Sequence, residues 1–386
     1  MKISLKRTPE QIELIKAMAS KNRDVAYEAQ VALAAFLGPV LAEVINNAPV
    51  LSNLFSPLSF NSEDNPSIPL DLYYDITDED YITIYSQQVA GGLPTNQVLP
   101  TTSEMKITTY RLDSALSFDK RYAAKSRMDV VSKTFTRMAQ EILAKQERTS
   151  GNLILSSLAA AVTNNKRHVQ RANAVGRFLL QDMNELLTLS RRVFTSFTGG
   201  TMPTGQAGMG VTDLIISPEV EEELRAMAYN PINTKGVAGS AGVGSIVDSG
   251  ITAPESVRAG LFNGGGISSF YGVNLMVFNE FGLTRKFNTI FDTVATNTSF
   301  ATANGTTLNT AFDGDKDELI LGINRNRESL IRAIAVDSET GSEFSLVADD
   351  QYSIRQNKIG YFGSLEEGRM VLDNRALFGK IVRWTA

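Results

Sequence analysis

Cysteine is absent from this 386-residue chain, and it contains one histidine, His168, and one tryptophan. Without cysteine the chain has no disulfides, no thiolate metal sites and no cysteine nucleophile. A single histidine excludes zinc sites of the H-E-x-x-H type and any metal site built from several imidazoles of one chain. Because His168 stands beside Lys166, Arg167 and Arg171, the local sequence predicts a solvated basic turn.

Signature motifs of common enzyme classes are also missing. The sequence has no phosphate-binding G-x-x-x-x-G-K-[ST], no G-x-G-x-x-G after a strand and no G-x-S-x-G elbow. The adjacent carboxylates at 78–80 and 349–350 have no partner base and are typical of turns. Asp313, Asp315 and Asp317 are spaced like the opening of a calcium loop, but Glu318 and Asn324 replace the glycine and glutamate that such a loop needs. We therefore expect an exposed acidic turn, with a cation site as the alternative, and we assign no catalytic, cofactor or metal residue.

Bulk properties describe a large globular chain. Its length suits two or three domains. The formal net charge of -5 argues against a dedicated nucleic-acid binder, which would carry a basic excess. No apolar run reaches the length of a transmembrane helix, and Met1–Arg7 is followed by Pro9 and Glu10 instead of the apolar region of a signal peptide. We expect that no leader is removed and that the chain has no membrane partner.

The residues from Ser126 to Thr163 are predicted to form one long helix. Apolar residues recur there at alternating steps of three and four, which places them on one stripe: Met128, Val131, Phe135, Met138 and Ile142. Ser126 and Asp129 have the spacing of an N-terminal cap. Gly151 is the predicted kink or early stop. A helix with such a stripe needs a surface to pack against, and a sheet built partly from Phe344–Leu372 is the expected one.

The segments before this helix are predicted to form a helical and extended arm. Thr8, Pro9 and Gln11 indicate a capped helix start, Gly38-Pro39 its end, and 40–46 a shorter helical piece. The apolar residues of 51–60 alternate with polar residues and proline, which favours an extended arm that lies on another surface.

A long β-hairpin is predicted from Tyr73 to Tyr110. The runs Tyr81–Tyr85 and Met105–Tyr110 are rich in β-branched and aromatic residues, with glycine and proline between them. An isolated two-stranded ribbon is marginal in water, and neither arm has one clean apolar face. The ribbon is therefore expected to rest on another subunit, the alternative being an edge hairpin of a local sheet. The candidate intersubunit residues are Tyr81, Ile82, Ile84, Tyr85, Leu93, Val98, Leu99, Met105, Lys106, Ile107 and Tyr110.

The rest of the chain is predicted as mixed helix and strand. Helices are expected over 173–197 and after Ser217-Pro218, a strand over 211–216, and a hairpin over 261–278 about the glycines at 264–266. The segment 229–254 is rich in glycine, alanine and serine and is typical of a surface loop. Residues 297–317 are predicted to be a loop, and 344–381 to be strands with a turn at Glu366–Gly368.

Taken in order, these segments resemble the major capsid proteins of tailed bacteriophages, the HK97-like fold. The most specific local matches are VTDLIISPEVEEELRA at 211–226, LFNGGGISSFYGVNLMVF at 261–278 and QYSIRQNKIGYFGSLEEG at 351–368. The resemblance implies an α+β fold with an N-terminal arm at 1–60 and an E-loop hairpin at 70–115. It further implies a discontinuous P-domain with the spine helix at 50–70, 113–172 and 334–369, and an A-domain at 173–333 and 370–386.

That resemblance implies a structural protein and not an enzyme. The expected function is self-assembly into pentamers and hexamers of an icosahedral shell that encloses a double-stranded DNA genome. Its partners would be copies of itself, with scaffolding, portal and cement proteins and non-specifically contacted DNA, and its location the virion capsid after assembly in the host cytoplasm. The alternatives are an encapsulin-like compartment shell and, in another class, an enzyme that uses carboxylates alone.

Overall fold

The computed structural model describes most of the chain, in two compact units. The described residues are 8–48, 51–61, 64–69, 104–163, 166–193, 210–229, 269–296, 300–301, 307–308, 311–337, 341–349 and 356–384. Unit 1 comprises Met1–Ser150 and Leu330–Met370, and unit 2 comprises Gly151–Ser329 and Val371–Ala386. Both units combine helices with sheets, which confirms the predicted α+β class. The predicted boundaries of the P-domain and the A-domain stay a prediction.

Unit 1 begins with helices α1 (Pro9–Met18) and α2 (Arg23–Asn46). The predicted cap is confirmed, since Thr8 Oγ1 accepts a hydrogen bond from Gln11 N at 3.4 Å. The predicted stop at Gly38-Pro39 is wrong, because α2 continues through Pro39 to Asn46. Leu33, Leu37, Leu41 and Ile45 are all buried in the core of unit 1. Their burial offsets the hydrogen bond that proline removes.

By length and composition, α2 would also be long and apolar enough to cross a membrane, contrary to what the sequence predicts. The buried residues of this helix are Ala26, Ala29, Gln30, Leu33, Ala34, Leu37, Gly38, Leu41 and Ile45. Most of them belong to the core cluster of unit 1. The buried side of α2 is therefore that of a core helix.

The predicted long helix is confirmed as α4 (Met128–Ala160), preceded by the short α3 (Lys120–Ala124). Its stripe residues are buried, and the Phe135 ring meets the Tyr361 ring edge-on at 5.1 Å between centroids. Two local predictions are wrong. Ser126 does not cap the helix, since it has a φ of 51° and its Oγ has no hydrogen-bond partner in the described part of the chain. Gly151 does not end the helix early, because α4 runs through it, whereas the predicted alternative of a kink at this residue stays a prediction.

Gly151 is instead required by a close neighbour. A Cβ at this position would collide with ring atoms of Phe287, which lies on α7 (Lys286–Ala295) of unit 2. The absence of a side chain allows the buried Phe287 ring to lie directly against the α4 backbone. Packing explains this glycine, and helix termination does not.

The unit 1 sheet has the order β1-β14-β16-β15, with β4 also paired to β16. Its strands are β1 (Ser56–Asn61), β4 (Thr109–Asp119), β14 (Leu330–Val336), β15 (Ser345–Asp349) and β16 (Lys358–Val371). β4 runs antiparallel to β16 over its whole length, from Thr109 opposite Gly368 to Asp119 opposite Lys358. The core of unit 1 combines residues of β4, β15 and β16 with the α4 stripe and α2. This confirms the predicted packing of the long helix on a sheet that includes residues after Phe344.

The segment at 51–61 packs on its own subunit, so the prediction of an arm lying on another surface is corrected. Leu51–Leu54 forms a 3-10 helix, and Leu51 and Phe55 are buried. β1 then pairs in parallel with β14, with Leu58 opposite Ala333. Local alternation with proline predicts extended structure correctly but does not identify the strand that receives it.

The unit 2 sheet has the order β12-β11-β7-β17-β13-β8-β10-β9. Its strands are β7 (Val169–Val175), β8 (Asp213–Ile216), β9 (Ser269–Phe270), β10 (Val273–Val277), β11 (Phe300–Ala301), β12 (Thr307–Leu308), β13 (Asp317–Ile323) and β17 (Leu377–Arg383). Two further short strands, β5 (Val162–Thr163) and β6 (Lys166–Arg167), pair with each other. The helices α5 (Leu180–Arg192), α6 (Pro218–Tyr229) and α7 complete the unit.

Several unit 2 predictions need correction. The helix expected from 173 begins at Leu180, because residues up to Val175 belong to β7. The described hairpin turns at Tyr271-Gly272, both with positive φ, and the glycines at 264–266 lie outside the described residues. Helix α7 was not predicted from the sequence, and residues 297–317, predicted to be a loop, include two short strands. The cap at Ser217 is confirmed, since its Oγ accepts from Val220 N at 3.2 Å.

His168 is fully buried, so the predicted solvated turn is wrong. Its Nδ1 faces the carbonyl oxygens of Leu377 and Asn374 at 3.0 and 3.1 Å, which requires this nitrogen to carry the proton. Nε2 then accepts from the Thr163 hydroxyl at 2.9 Å. Burial lowers the pKa of His168 below its ordinary value. The neutral ring therefore connects β5 and β17 as a structural residue.

Candidate functional site

The described functional region is the root of the predicted E-loop. β2 (Ser67–Pro69) pairs antiparallel with β3 (Glu104–Lys106), with Ser67 opposite Lys106 and Pro69 opposite Glu104. This pairing holds the two ends of residues 70–103 side by side. The two points at which residues 70–103 join the described chain are therefore neighbours. We call residues 64–69 and 104–108 the loop root.

Four of the candidate intersubunit residues lie in or beside the loop root. Met105 and Lys106 belong to β3, Ile107 is buried, and Tyr110 is half-buried in β4. The others, namely Tyr81, Ile82, Ile84, Tyr85, Leu93, Val98 and Leu99, lie outside the described residues. The contact of these residues with a neighbouring subunit stays a prediction.

The strand pairing at the root differs from the predicted one. The partner of Met105 is Ile68, and not a residue of the 81–85 run. The hairpin arms therefore begin at Ser67, earlier than the β-type runs indicate. The pattern of side chains in a sequence identifies strands. Which residues of two strands lie opposite each other depends on the pairing along the whole length of both strands.

The root is anchored on unit 1 by close packing. Ile107 N donates to the carbonyl oxygen of Pro66 at 2.9 Å, which joins the two halves of the root. A Cβ on Gly368 of β16 would lie 2.8 Å from both Ile107 Cγ2 and the Thr108 carbonyl oxygen. Gly368 therefore lets the root lie directly on the sheet backbone. Ile68 and Ile107 are both 5% exposed.

A buried ion cluster lies next to this anchor, at the adjacent residue of β16. Glu367 Oε2 accepts from Arg332 Nε and Arg369 Nη2, each at 3.0 Å, and from Gln146 Nε2 at 3.0 Å. Its other oxygen accepts from the Tyr110 hydroxyl at 2.8 Å. We call Glu367, Arg332, Arg369, Gln146 and Tyr110 the root cluster.

The electrostatics of the root cluster favour a charged carboxylate. Burial alone would raise the pKa of Glu367, but the charges of Arg369 and Arg332 hold it below its ordinary value. Burial and the negative charge of Glu367 together raise the pKa of the Tyr110 hydroxyl, which therefore stays a donor. The carboxylate is fully buried and its partners are nearly so, which makes removal of any one charge costly.

Further hydrogen bonds connect the root cluster to three other elements. Arg369 donates to the hydroxyl of Ser52, before β1, at 2.7 Å, and to the hydroxyl of Ser150 on α4. Arg332 Nη1 donates to Asn46 Oδ1, at the end of α2, at 3.2 Å. The cluster thus holds helices, sheet and loop root in one arrangement. It offers no free nucleophile or base, because its carboxylate is occupied by donors.

The root cluster was not predicted from the sequence. A turn was predicted at Glu366–Gly368, and that prediction is wrong because β16 passes straight through these residues. The sequence feature that could have indicated the cluster is the spacing of Glu367 and Arg369. Two residues apart on a strand, they must lie on the same face of the sheet. Charged residues next to glycine in the sequence favour a turn. Here the buried ion pairs of Glu367 with Arg332 and Arg369 override that local preference.

Two buried ionic groups in unit 2 also have oppositely charged partners. Asp317 is fully buried and bonds Arg171 Nη1 at 3.0 Å and Arg383 Nε at 2.7 Å. The prediction of an exposed acidic turn is therefore wrong for Asp317. Its buried carboxylate is neutralised by the two arginines. Lys380, also fully buried, contacts Glu185 at 2.7 Å and Asp182 at 3.4 Å. Within the described ranges, no group of three or more metal-binding side chains could hold a metal ion.

No family model and no curated protein sequence matches the chain. Among solved structures, it is similar to the capsid of Cyanophage P-SCSP1u at 12% identity, covering 87% of this chain and 88% of that chain, with a TM-score of 0.45. It is similar to the holo-SrpI encapsulin complex of Synechococcus elongatus PCC 7942 at 14% identity, covering 74% and 78%, with a TM-score of 0.40. The virus-like particle of Pyrococcus furiosus matches at 10% identity, covering 92% and 100%, with a TM-score of 0.40. By their names, the three matched structures are a phage capsid, an encapsulin complex and a virus-like particle.

Proposed function

We propose that this chain is the structural subunit of an icosahedral shell, a major capsid protein that assembles as pentamers and hexamers around a double-stranded DNA genome. The observation that carries the proposal is the loop root. It brings together the ends of residues 70–103 and anchors them through Ile107, Gly368 and the root cluster. A predicted long hairpin that is anchored at its base on unit 1 suits a subunit that binds its neighbour through that hairpin.

The architecture of unit 1 supports the same function. α4 has 33 residues and packs its stripe on a sheet, so at about 1.5 Å per residue it forms a spine of roughly 50 Å. The root cluster connects this spine to the loop root through Gln146. The partners on this proposal are copies of the chain, with DNA, scaffolding, portal and cement proteins in the virion.

The first test is assembly of the purified chain, observed by electron microscopy and by light scattering after size-exclusion chromatography. We expect closed shells or capsomers. A stable monomer at concentrations where shell proteins assemble would contradict the proposal. DNA protected from nuclease inside particles from the native host would support a capsid, whereas protein cargo there would support the encapsulin-like alternative.

The second test removes the tip of the predicted hairpin. Deletion of Val89–Leu99 should abolish shells while leaving the subunit folded, because the loop root and its anchor are retained. The circular dichroism spectrum and the emission of Trp384 report the fold, and electron microscopy reports assembly. The control is Glu104→Ala, an exposed change in β3 that keeps the loop, and it should assemble normally. Normal shells from the deletion would show that the hairpin is not an intersubunit clasp.

A further inference from the structure

The outer side of α2 presents an apolar stripe in the isolated subunit. At 3.6 residues per turn, Val25, Ala32, Phe36 and Pro39 project from one side of the helix. Phe36 is 55% exposed and Val25 is 43% exposed, and Ala32 and Pro39 are exposed as well. The buried residues of α2 face the core of unit 1 on the other side.

The stripe has acidic residues at both ends. Asp24 and Glu28 lie near its start and Glu43 at its end, and all three are exposed. The only basic residue of α2 is Arg23, the first residue of the helix, which projects from another side. An apolar strip between carboxylates fits a polypeptide segment that combines apolar residues with basic ones.

The chain contains such a segment at its start. Residues 1–7 read MKISLKR, with apolar Met1, Ile3 and Leu5 and basic Lys2, Lys6 and Arg7. They precede Thr8, which caps α1, and lie before the described part of the chain. Seven residues reach about 23 Å when extended, at about 3.3 Å per residue. The stripe from Val25 to Glu43 is about 27 Å long, at about 1.5 Å per residue, so the lengths are comparable.

We propose that residues 1–7 of a second copy of the chain bind along the α2 stripe, with Lys2, Lys6 and Arg7 facing Asp24, Glu28 and Glu43. The inference rests on the proposed function, which brings many copies together and makes a weak contact effective by repetition. It adds an intersubunit contact that does not involve the E-loop hairpin.

The absence of cysteine makes this contact directly testable by disulfide formation. A Leu5→Cys protein and an Ala32→Cys protein are purified separately, mixed, assembled and oxidised. We expect a covalent dimer on a non-reducing gel. The matched control replaces Ala32→Cys with Ala144→Cys, an exposed alanine on α4, and should give no dimer above background.

A charge-reversal pair tests the specificity of the contact. Glu28→Lys with Glu43→Lys should reduce the dimer yield severalfold, and Lys2→Glu with Lys6→Glu in the partner protein should restore it. Equal dimer yields at Ala32 and Ala144 would overturn the inference. A disulfide that forms only within one chain of the Leu5→Cys, Ala32→Cys double variant would also overturn it, in favour of the chain covering its own helix. Shells that assemble without the cross-link refute this contact alone, whereas a chain that forms no oligomer refutes the proposed function.

Discussion

Protonation of Glu318 should be visible in the fluorescence of Trp384, the single tryptophan of the chain. Glu318 is fully buried at the start of β13, its Oε2 accepts from Trp384 Nε1 at 2.6 Å, and its carboxyl group also forms a hydrogen bond with the Ser217 side chain. Its Oε1 has no hydrogen-bond partner in the described residues. Burial raises the pKa of Glu318 from 4.5 to about 7, with a contribution from the charge of Glu219. The carboxyl therefore titrates near neutral pH.

The direction of the stability change follows from the raised pKa. The folded state binds this proton more tightly than the unfolded chain does, so the stabilisation is complete below about pH 4.5 and is lost as the pH rises through about 7. At about 1.36 kcal/mol for each unit between the two pKa values, the loss is at most roughly 3 kcal/mol. Glu318→Gln stays neutral at every pH. It should exceed the wild type in free energy of unfolding by up to that amount at pH 8.5, and should differ little from it at pH 4.5.

The assay is a pH titration of Trp384 emission, followed by urea unfolding monitored at the same wavelength. The wild type should show a transition near pH 7 that Glu318→Gln lacks. Glu219→Gln removes the neighbouring negative charge and should lower the pH midpoint of the transition. The control is Glu221→Gln: Glu221 forms an ion pair with Arg225, and its substitution should leave that midpoint unchanged. Emission that is flat between pH 5 and 9, or an unchanged transition in Glu318→Gln, would refute the assignment of the titration to Glu318.

Two further substitutions test the packing. Arg369→Met leaves the buried Glu367 carboxylate with less compensating charge and should lower the free energy of unfolding by about 3–5 kcal/mol. The control Arg137→Ala, at an exposed residue, should change the free energy of unfolding by less than about 0.5 kcal/mol. Similar losses from both variants would refute the importance of the root cluster. Gly151→Ala should cost about 1–3 kcal/mol because its Cβ meets the Phe287 ring, and Phe287→Leu in the same chain should recover part of that loss. An increase in stability from Gly151→Ala alone, as helix propensity would favour, would contradict the packing argument.

Periodic patterns in the sequence predicted the elements whose structure depends on one face. The α4 stripe from Met128 to Ile142 is buried as expected, and the helix caps at Thr8 and Ser217 form as expected. These predictions succeed because they use only neighbours within a few residues. The hairpin and the long helix in that order also supported the HK97-like resemblance.

Residues that usually end elements or lie in solvent were misinterpreted. Pro39 lies within α2, Gly151 lies within α4, and Glu367 lies within β16. His168, which stands among basic residues in the sequence, is buried between carbonyl oxygens. In each case, contacts with residues distant in sequence stabilise the observed structure by more free energy than the local preference opposes it. The partner of Met105, which is Ile68, was missed for the same reason.

The sequence by itself determined the α+β class, the long amphipathic helix and the absence of cysteine chemistry, because these depend on composition and on spacing along the chain. Only the tertiary structure decided what the polar residues do. Whether Glu367 is a turn residue or the centre of an ion cluster depends on Arg332 and Arg369 reaching it across β-strands. Charge in a protein is stabilised by what surrounds it in space, and that surrounding exists only in the folded chain.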